Sequence, residues 1–249
     1  MMIKKYYQKV QEQLENTFNK ETNVMQKVSE VIADKINDGG VVYLFGCGHS
    51  HILTEEVFYR AGGLAPIYPI LIDELMLHQG GAASSQKERK NRYVRPLLAE
   101  YSITKKDVLI VISTSGINPV PIDVALYGKE HGAVTVALTS TAYAEQQPSR
   151  HEDGLYLKDV CDYTIDNHVQ VGDAMLSNSD TGIRFAPSSS VIGISILQAI
   201  LAEVTDLLIK TGQVPPVFLS GNITGSDEHN KKLLDIYGKK VPLLIKNME

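Results

Sequence analysis

Two short apolar runs, each followed by a loop of small residues, constrain the fold of this chain most. Residues 41–46 read VVYLFG and precede CGHS, and residues 107–113 read DVLIVIS and precede TSG. An uninterrupted apolar run rich in β-branched residues is typical of a strand that is buried on both faces of a parallel sheet. We therefore predict that both runs are strands of an α/β protein.

Helical patterns alternate with further strand candidates along the chain. The other strands are predicted at 65–73, 133–140 and 161–167. Helices are predicted over 3–38 (as one helix or as two broken near Asn19), 51–63 (ended by Gly62 and Gly63), 118–132 and 188–212. This alternation predicts a parallel sheet flanked by helices, which binds its ligand at the carboxyl ends of the strands. We expect one domain over 1–249, with 1–38 as an N-terminal helical extension.

One stretch, residues 74–92, has no clear hydrophobic period and contains the sequence GGAASS. Loops of this length inside a compact domain are often functional or mobile. Its role stays open at the level of sequence.

Charge and composition exclude several classes of partner. The net charge is −5, and the nearest approach to a basic run is KERK at 87–90, so we expect no nucleic-acid partner. The N-terminus is polar, and we see no apolar run approaching the ~20 residues of a membrane span, so we expect no membrane partner. Two cysteines make no disulfide framework. A reduced, cytoplasmic protein is expected.

The glycine turn after the first strand is a poor match to a dinucleotide fingerprint. The third glycine of that fingerprint is replaced by His51, and Asp73 stands 27 residues after Gly46, whereas the acid that holds the ribose is expected about 20 residues on. We expect no cofactor.

Phosphate binding without a nucleotide fits the small-residue loops better. Three clusters of hydroxyl residues each precede a helical pattern: Gly48 with Ser50; Ser113, Thr114 and Ser115 with Asn118; and Ser188, Ser189 and Ser190. Backbone N–H groups and helix N-termini bind anions, and hydroxyls add donors without charge. Helix capping alone is the alternative for each cluster, because serine and threonine are favoured caps.

The sequences VVYLFGCGHSH, DVLIVISTSGINPVPIDVA and APSSSVIGISIL resemble the sugar isomerase (SIS) domain, and the resemblance covers residues 24–210. It implies a three-layer αβα fold with a five-stranded parallel sheet, assembled as a homodimer or homotetramer, that binds a phosphorylated sugar. It also implies a role for each cluster. Ser113 and Ser115 would grip the phosphate beside Thr114, Ser50 in the Gly48 turn would touch the ligand, and Ser188, Ser189 and Ser190 would close the pocket. Asn118 replaces a serine of phosphoheptose isomerase.

An aldose–ketose isomerase needs a general base, usually Glu or His. Phosphoheptose isomerase has a catalytic glutamate one turn beyond Glu55, where this chain has Tyr59. Several SIS isomerases use a Glu–His pair, sometimes from a neighbouring subunit, and the SDEHN sequence supplies His229. We therefore predict Glu55 and His229 as catalytic residues. A solvated helix face for Glu55 and a capping role for SDEHN are the alternatives, and His49 and His51 are further candidates.

The resemblance favours an aldose–ketose isomerase acting on a sugar phosphate. A non-catalytic phosphosugar-binding or regulatory module is the first alternative. A lyase similar to N-acetylmuramic acid 6-phosphate etherase is the second. No metal is expected, although zinc in some phosphoheptose isomerases leaves open a site formed by His49, Glu55 and His229.

Overall fold

The computed structural model of the chain describes residues 1–248. Its α-helices are α1 (Met2–Asn37), α2 (Ser50–Glu56), α3 (Gly81–Glu88), α4 (Pro119–Glu130), α5 (Thr141–Gln146), α6 (Leu157–Val160), α7 (Ser189–Lys210) and α8 (Ser226–Tyr237). Short 3₁₀ helices lie at Asp73–Leu75, Leu77–Gln79, Arg95–Glu100 and Pro242–Leu244.

Five parallel strands form the central sheet. They are β1 (Val42–Gly46), β2 (Ile67–Ile70), β3 (Val108–Ile112), β4 (Val134–Thr139) and β5 (Tyr163–Asp166), in the order β2-β1-β3-β4-β5. β2 lies at an edge of the sheet, where the proline that it contains is tolerated. A separate antiparallel pair, β6 (Leu176–Ser177) and β7 (Arg184–Phe185), was not predicted because each strand has only two residues.

Helices cover both faces of the sheet. Helices α1, α2 and α7 pack on one face, against side chains such as Val42 and Leu44 of β1. The alternate side chains of β1, Tyr43 and Phe45, belong to the core on the other face, which α4 and α6 cover. This is the predicted three-layer αβα arrangement.

Helix α1 is continuous from Met2 to Asn37, without a break near Asn19. Asn19 is exposed, while the neighbouring Thr17 is buried and Phe18 packs on the core. Asparagine in a helix interior costs at most about 0.7 kcal/mol relative to alanine. Packing on both sides of that residue outweighs so small a cost.

Helix α2 is shorter than predicted, because it ends at Glu56 and not at Gly62. The chain then leaves the helical path, and Tyr59 has a φ of +42°. Gly62 donates a backbone hydrogen bond to Phe218 (2.8 Å), and Phe218 donates one to Gly63 (2.9 Å). This pairing with a distant segment replaces the last predicted turns of the helix.

The prediction that no apolar run approaches the length of a membrane span was wrong for helix α7. By length and composition Ser189–Lys210 could cross a membrane, and it is the one helix of the described chain that could. Its apolar residues, including Ile192, Ile196 and Ile200, are buried in the core on the face shared with α1. This packing accounts for the apolar composition.

Candidate functional site

The connections from β1 and β3 leave the sheet toward opposite faces. β1 is followed by α2 on one face, whereas β3, its neighbour in the sheet, is followed by α4 on the other. A crevice opens between the carboxyl ends of two such strands, and ligands of open α/β sheets bind there.

The turn after β1 requires glycine at two positions for different reasons. A Cβ on Gly46 would lie 2.6 Å from the carbonyl oxygen of Ser50, so the close return of the chain excludes a side chain. Gly48 has a left-handed φ of +56°. Ser50 begins α2. The His51 ring is turned back, with Nδ1 on the carbonyl of Gly48.

The loop after β3 is held rigidly. The buried Ser113 hydroxyl accepts a hydrogen bond from the Gly116 N–H (3.2 Å), and the Thr114 carbonyl accepts one from Ser140 (2.9 Å). Gly116 has a φ of +59°, and a Cβ there would lie 2.6 Å from Oγ1 of Thr139. Ser115 is half-buried, and within residues 1–248 its hydroxyl has no hydrogen-bond partner. The loop thus fixes Ser113 structurally and leaves the Ser115 hydroxyl available.

Asn118, predicted as a ligand-binding residue, has its amide engaged by other side chains. Its Nδ2 donates to Glu88 (2.9 Å), and its Oδ1 accepts from Arg150 (2.8 Å). Pro119 and Pro121 remove two N–H groups from the first turn of α4. An anion at this loop must therefore draw more on hydroxyls than on the helix N-terminus.

The serine cluster before α7 is divided between two roles. Asp173 Oδ1 accepts hydrogen bonds from the N–H groups of Ser188 (2.8 Å) and Ser189 (3.1 Å). Ser188 is buried, and its hydroxyl also contacts Asp173 (3.4 Å). Ser188 therefore helps to fix the start of α7, whereas Ser189 and Ser190 line a cleft.

That narrow cleft lies at the carboxyl ends of the strands. Its lining residues are His49, Ser50, Leu53, Ile112, Thr114, Leu138, Asn167, Ser189, Ser190 and Gly193. The polar groups are hydroxyls, one amide and one imidazole, a set suited to the hydroxyls of a sugar. Sequence reasoning did not assign Asn167, although it directly follows β5 and so stands where ligands bind.

The two predicted catalytic residues do not line this cleft within one chain. Glu55 is exposed on α2. His229 Nε2 lies 2.9 Å from the carbonyl of Val217, which pairs with Leu64 just before β2, near the amino ends of the strands. Among the described residues no three His, Cys, Asp or Glu side chains cluster as metal ligands. The catalytic roles of Glu55 and His229 stay predictions.

Two charged residues near the crevice were not assigned from the sequence. Glu88 ends α3, and its burial raises the pKa of its carboxyl group, which the Asn118 hydrogen bond and the positive charges of Arg89 and Arg150 oppose. Arg150 is exposed and reaches Asn118. Glu88 falls in the stretch 74–92 without a period, where the only signal was the length of the stretch.

Comparison with known proteins agrees with this geometry. The model of the SIS domain family matches residues 5–140. A UPF0309 protein of Halalkalibacterium halodurans is 50% identical over 243 residues, which cover 98% of this chain and 97% of that protein.

Two solved structures share the fold at low identity. A phosphoheptose isomerase from Francisella tularensis has a TM-score of 0.54 and 14% identity, covering 82% of this chain and 97% of that one. A phosphoheptose isomerase from Neisseria gonorrhoeae has a TM-score of 0.53 and 13% identity, with the same coverage of 82% and 97%. Together with the family match and the close relative, the fold leads to one conclusion: the chain belongs to the SIS domain family and, within it, to the UPF0309 proteins.

Proposed function

We propose that this protein binds a phosphorylated sugar in the crevice between β1 and β3 and interconverts its aldose and ketose forms by proton transfer. One observation carries the proposal. The loops after β1, β3 and β5, together with the start of α7, direct uncharged hydrogen-bond donors and acceptors into one cleft. Membership of the SIS family supports the ligand class, and the two phosphoheptose isomerases with the same fold are consistent with it.

The phosphate is assigned to the loop Ser113–Ser115. Within residues 1–248 the Ser115 hydroxyl has no partner, and the Thr114 hydroxyl accepts one long hydrogen bond, from Nδ2 of Asn167 (3.5 Å). Ser113 holds the loop closed through Gly116, so it prepares the site as well. Preorganised donors bind an anion without the entropy cost of ordering the loop. Ser50, Ser189 and Ser190 are assigned to the sugar hydroxyls.

Proton transfer is the chemical step of the proposal, with Glu55 and His229 as the residues assigned from the family resemblance. Glu55 is exposed, and His229 lies near the other end of the sheet, so both would need a second subunit to reach a site. A homodimer or homotetramer is therefore part of the proposal. Light scattering that gives the mass of a single 27.4 kDa chain would contradict it.

Two measurements on the intact protein test the function. Thermal-shift screening against sugar phosphates finds the ligand, and NMR in deuterated water follows exchange at the carbon beside the carbonyl. Exchange supports the isomerase. Binding without exchange would indicate a binding module, and loss of a substituent beside the exchanging carbon would indicate a lyase.

The phosphate assignment has its own variant test. Replacing Ser113 and Ser115 together by alanine should weaken binding by at least about 1.5–3 kcal/mol, the contribution of one hydrogen bond from Ser115 to a charged group, because the loss of Ser113 also loosens the loop. Ser179→Ala, at an exposed serine of the β6–β7 hairpin, is the matched control and should bind normally. Unchanged affinity in the double variant rejects the loop assignment.

A further inference from the structure

Residues 73–88, which had no assigned role, are attached directly to the turn after β1. The carbonyl of Leu75 accepts hydrogen bonds from the N–H of Gly48 (3.2 Å) and from the hydroxyl of the buried Ser84 (2.7 Å). Gly48 belongs to the turn after β1 and Ser84 to α3. Helix α3 is therefore fixed at the carboxyl end of the sheet, and its last residue is Glu88.

The carboxylate of Glu88 contacts one of the two loops that form the crevice, although Glu88, like Glu55 and His229, does not line the cleft itself. It accepts a hydrogen bond from Asn118, at the end of the loop after β3 (2.9 Å). Its charge adds to burial in raising the pKa of the Cys47 thiol, in the turn after β1. The segment that carries Glu88 is thus hydrogen-bonded to both loops, through Leu75 to the turn after β1 and through Glu88 itself to the loop after β3.

Three other ionisable groups at this end of the sheet are engaged in hydrogen bonds, whereas His49 lines the cleft and stays a further candidate. Asp173 holds the start of α7, Asp166 holds the Thr141 hydroxyl, and His51 is turned back onto Gly48. Glu88 accepts a single hydrogen bond within residues 1–248. A half-buried carboxylate with spare acceptor capacity and a raised pKa is suited to general-base catalysis near neutral pH.

We propose that Glu88, in place of Glu55 or His229, transfers the substrate proton beside this crevice, an inference that depends on the proposed isomerase function. Glu88 would remove the proton from C2 of an aldose phosphate, and the C–H electron pair would form the C1–C2 double bond of an enediol while water protonates the C1 oxygen. The protonated Glu88 would then deliver its proton to C1 as the C2 hydroxyl loses its proton to water. No oxidant or reductant is needed.

Glu88→Gln tests this proposal, because the glutamine carbonyl can still accept the Asn118 hydrogen bond but cannot take a proton. The probes are glucose 6-phosphate and arabinose 5-phosphate, using the one that gives the larger thermal shift. Deuterium exchange should fall by about 10²–10⁴-fold, the usual contribution of a positioned base, while the thermal shift is kept. Glu88→Asp, which keeps a carboxylate, should exchange faster than Glu88→Gln. Glu74→Gln, at an exposed carboxylate of the same segment, should match the wild type.

Three results would overturn the assignment of Glu88 as the base, and one of them would also reject the proposed isomerase function. Wild-type exchange in Glu88→Gln but slow exchange in Glu88→Ala would show that Glu88 only positions Asn118. Loss of exchange in Glu55→Gln alone would assign the base to Glu55. Both results leave the proposed isomerase intact. A wild-type protein that binds sugar phosphate and never exchanges deuterium would reject the isomerase and Glu88 as its base together.

Discussion

Asp107 and Asp162, at the amino ends of the strands, differ in hydrogen bonding from Glu88, at the carboxyl ends. At the amino ends, the buried Asp107 accepts hydrogen bonds from the N–H of Val41 (2.9 Å) and from the N–H and hydroxyl of Thr104 (2.8 Å each). Asp162 accepts two from Thr135 (2.9 Å each). At the carboxyl ends, Glu88 accepts one. Asp107 and Asp162 thus join neighbouring strands where the chain only has to be held, whereas Glu88 keeps spare acceptor capacity at the end of the sheet where open α/β proteins bind ligands.

The pKa shifts of these groups follow the same division. Partial burial acts to raise the pKa of Asp162, but hydrogen bonds from Thr135 and the charge of Lys129 outweigh it and leave the pKa below its ordinary value. Burial dominates at Glu88, so the pKa of that carboxyl is raised. The protein thus stabilises the charged form of Asp162 and disfavours that of Glu88.

The largest stability effect should come from removing a saturated carboxylate. Asp107→Ala leaves the Val41 and Thr104 N–H groups without their acceptor, and we expect it to lower the free energy of unfolding by about 3 kcal/mol. Urea denaturation measures this, with Asp34→Ala, at an exposed position of α1, as the control. Glu88→Gln should change the free energy of unfolding by less than about 1 kcal/mol. Equal losses in the free energy of unfolding for Asp107→Ala and Glu88→Gln would contradict the difference between these two carboxylates.

The loops at the carboxyl ends should depend on glycine rather than on carboxylates. Gly116→Ala combines a left-handed φ with a 2.6 Å contact to Thr139, whereas Gly48→Ala has a left-handed φ and its nearest contact at 3.9 Å. We expect the free energy of unfolding to fall by about 2–3 kcal/mol in Gly116→Ala and by about 1 kcal/mol in Gly48→Ala. A left-handed φ costs a residue with a side chain about 1–2 kcal/mol, and the steric clash at Gly116 adds to that cost. Urea denaturation that ranks the two variants in the reverse order would contradict the assigned role of Gly116.

The smallest effect is a difference in the pH dependence of stability. Glu88 contributes to the free energy of unfolding fully below its ordinary pKa of 4.5, and this contribution is lost as pH rises through its higher folded pKa. The stability of Glu88→Gln relative to the wild type should therefore increase as pH rises. Asp162 contributes to the free energy of unfolding above its ordinary pKa of 3.8, and this contribution is lost as pH falls through its lower folded pKa. Asp162→Asn should therefore lower the free energy of unfolding most near neutral pH.

Denaturation curves at about pH 3, 5 and 8 would show the two trends. Comparing each variant with the wild type at the same pH removes the pH dependence that the other ionisable groups of the chain contribute. If both variants follow pH in the same direction, the two ends of the sheet do not differ electrostatically in the way described.

Local sequence was sufficient for the strands and for the loops that follow them. The apolar, β-branched runs at 41–46 and 107–113 became β1 and β3, and the adjacent glycines and hydroxyls lie at the carboxyl ends of those strands. This could be predicted because hydrophobic pattern and turn chemistry act over a few neighbouring residues. The hydrophobic pattern indicated all five strands of the sheet, and the family resemblance implies the same number.

Interactions between distant segments decided the rest. Helix α2 ends at Glu56 because the chain beyond it pairs with Phe218, and Ser188 is taken out of the cleft by Asp173, 15 residues earlier in the chain. Glu88 reaches Asn118 across 30 residues of sequence with no periodic pattern to indicate it. The sequence by itself determined which segments form strands and which glycine- and serine-rich loops follow them, since those depend on local preferences. Only the tertiary structure decided that Asp107 accepts several hydrogen bonds while Glu88, beside the crevice, accepts one. The reason is that the donors come from segments distant in sequence.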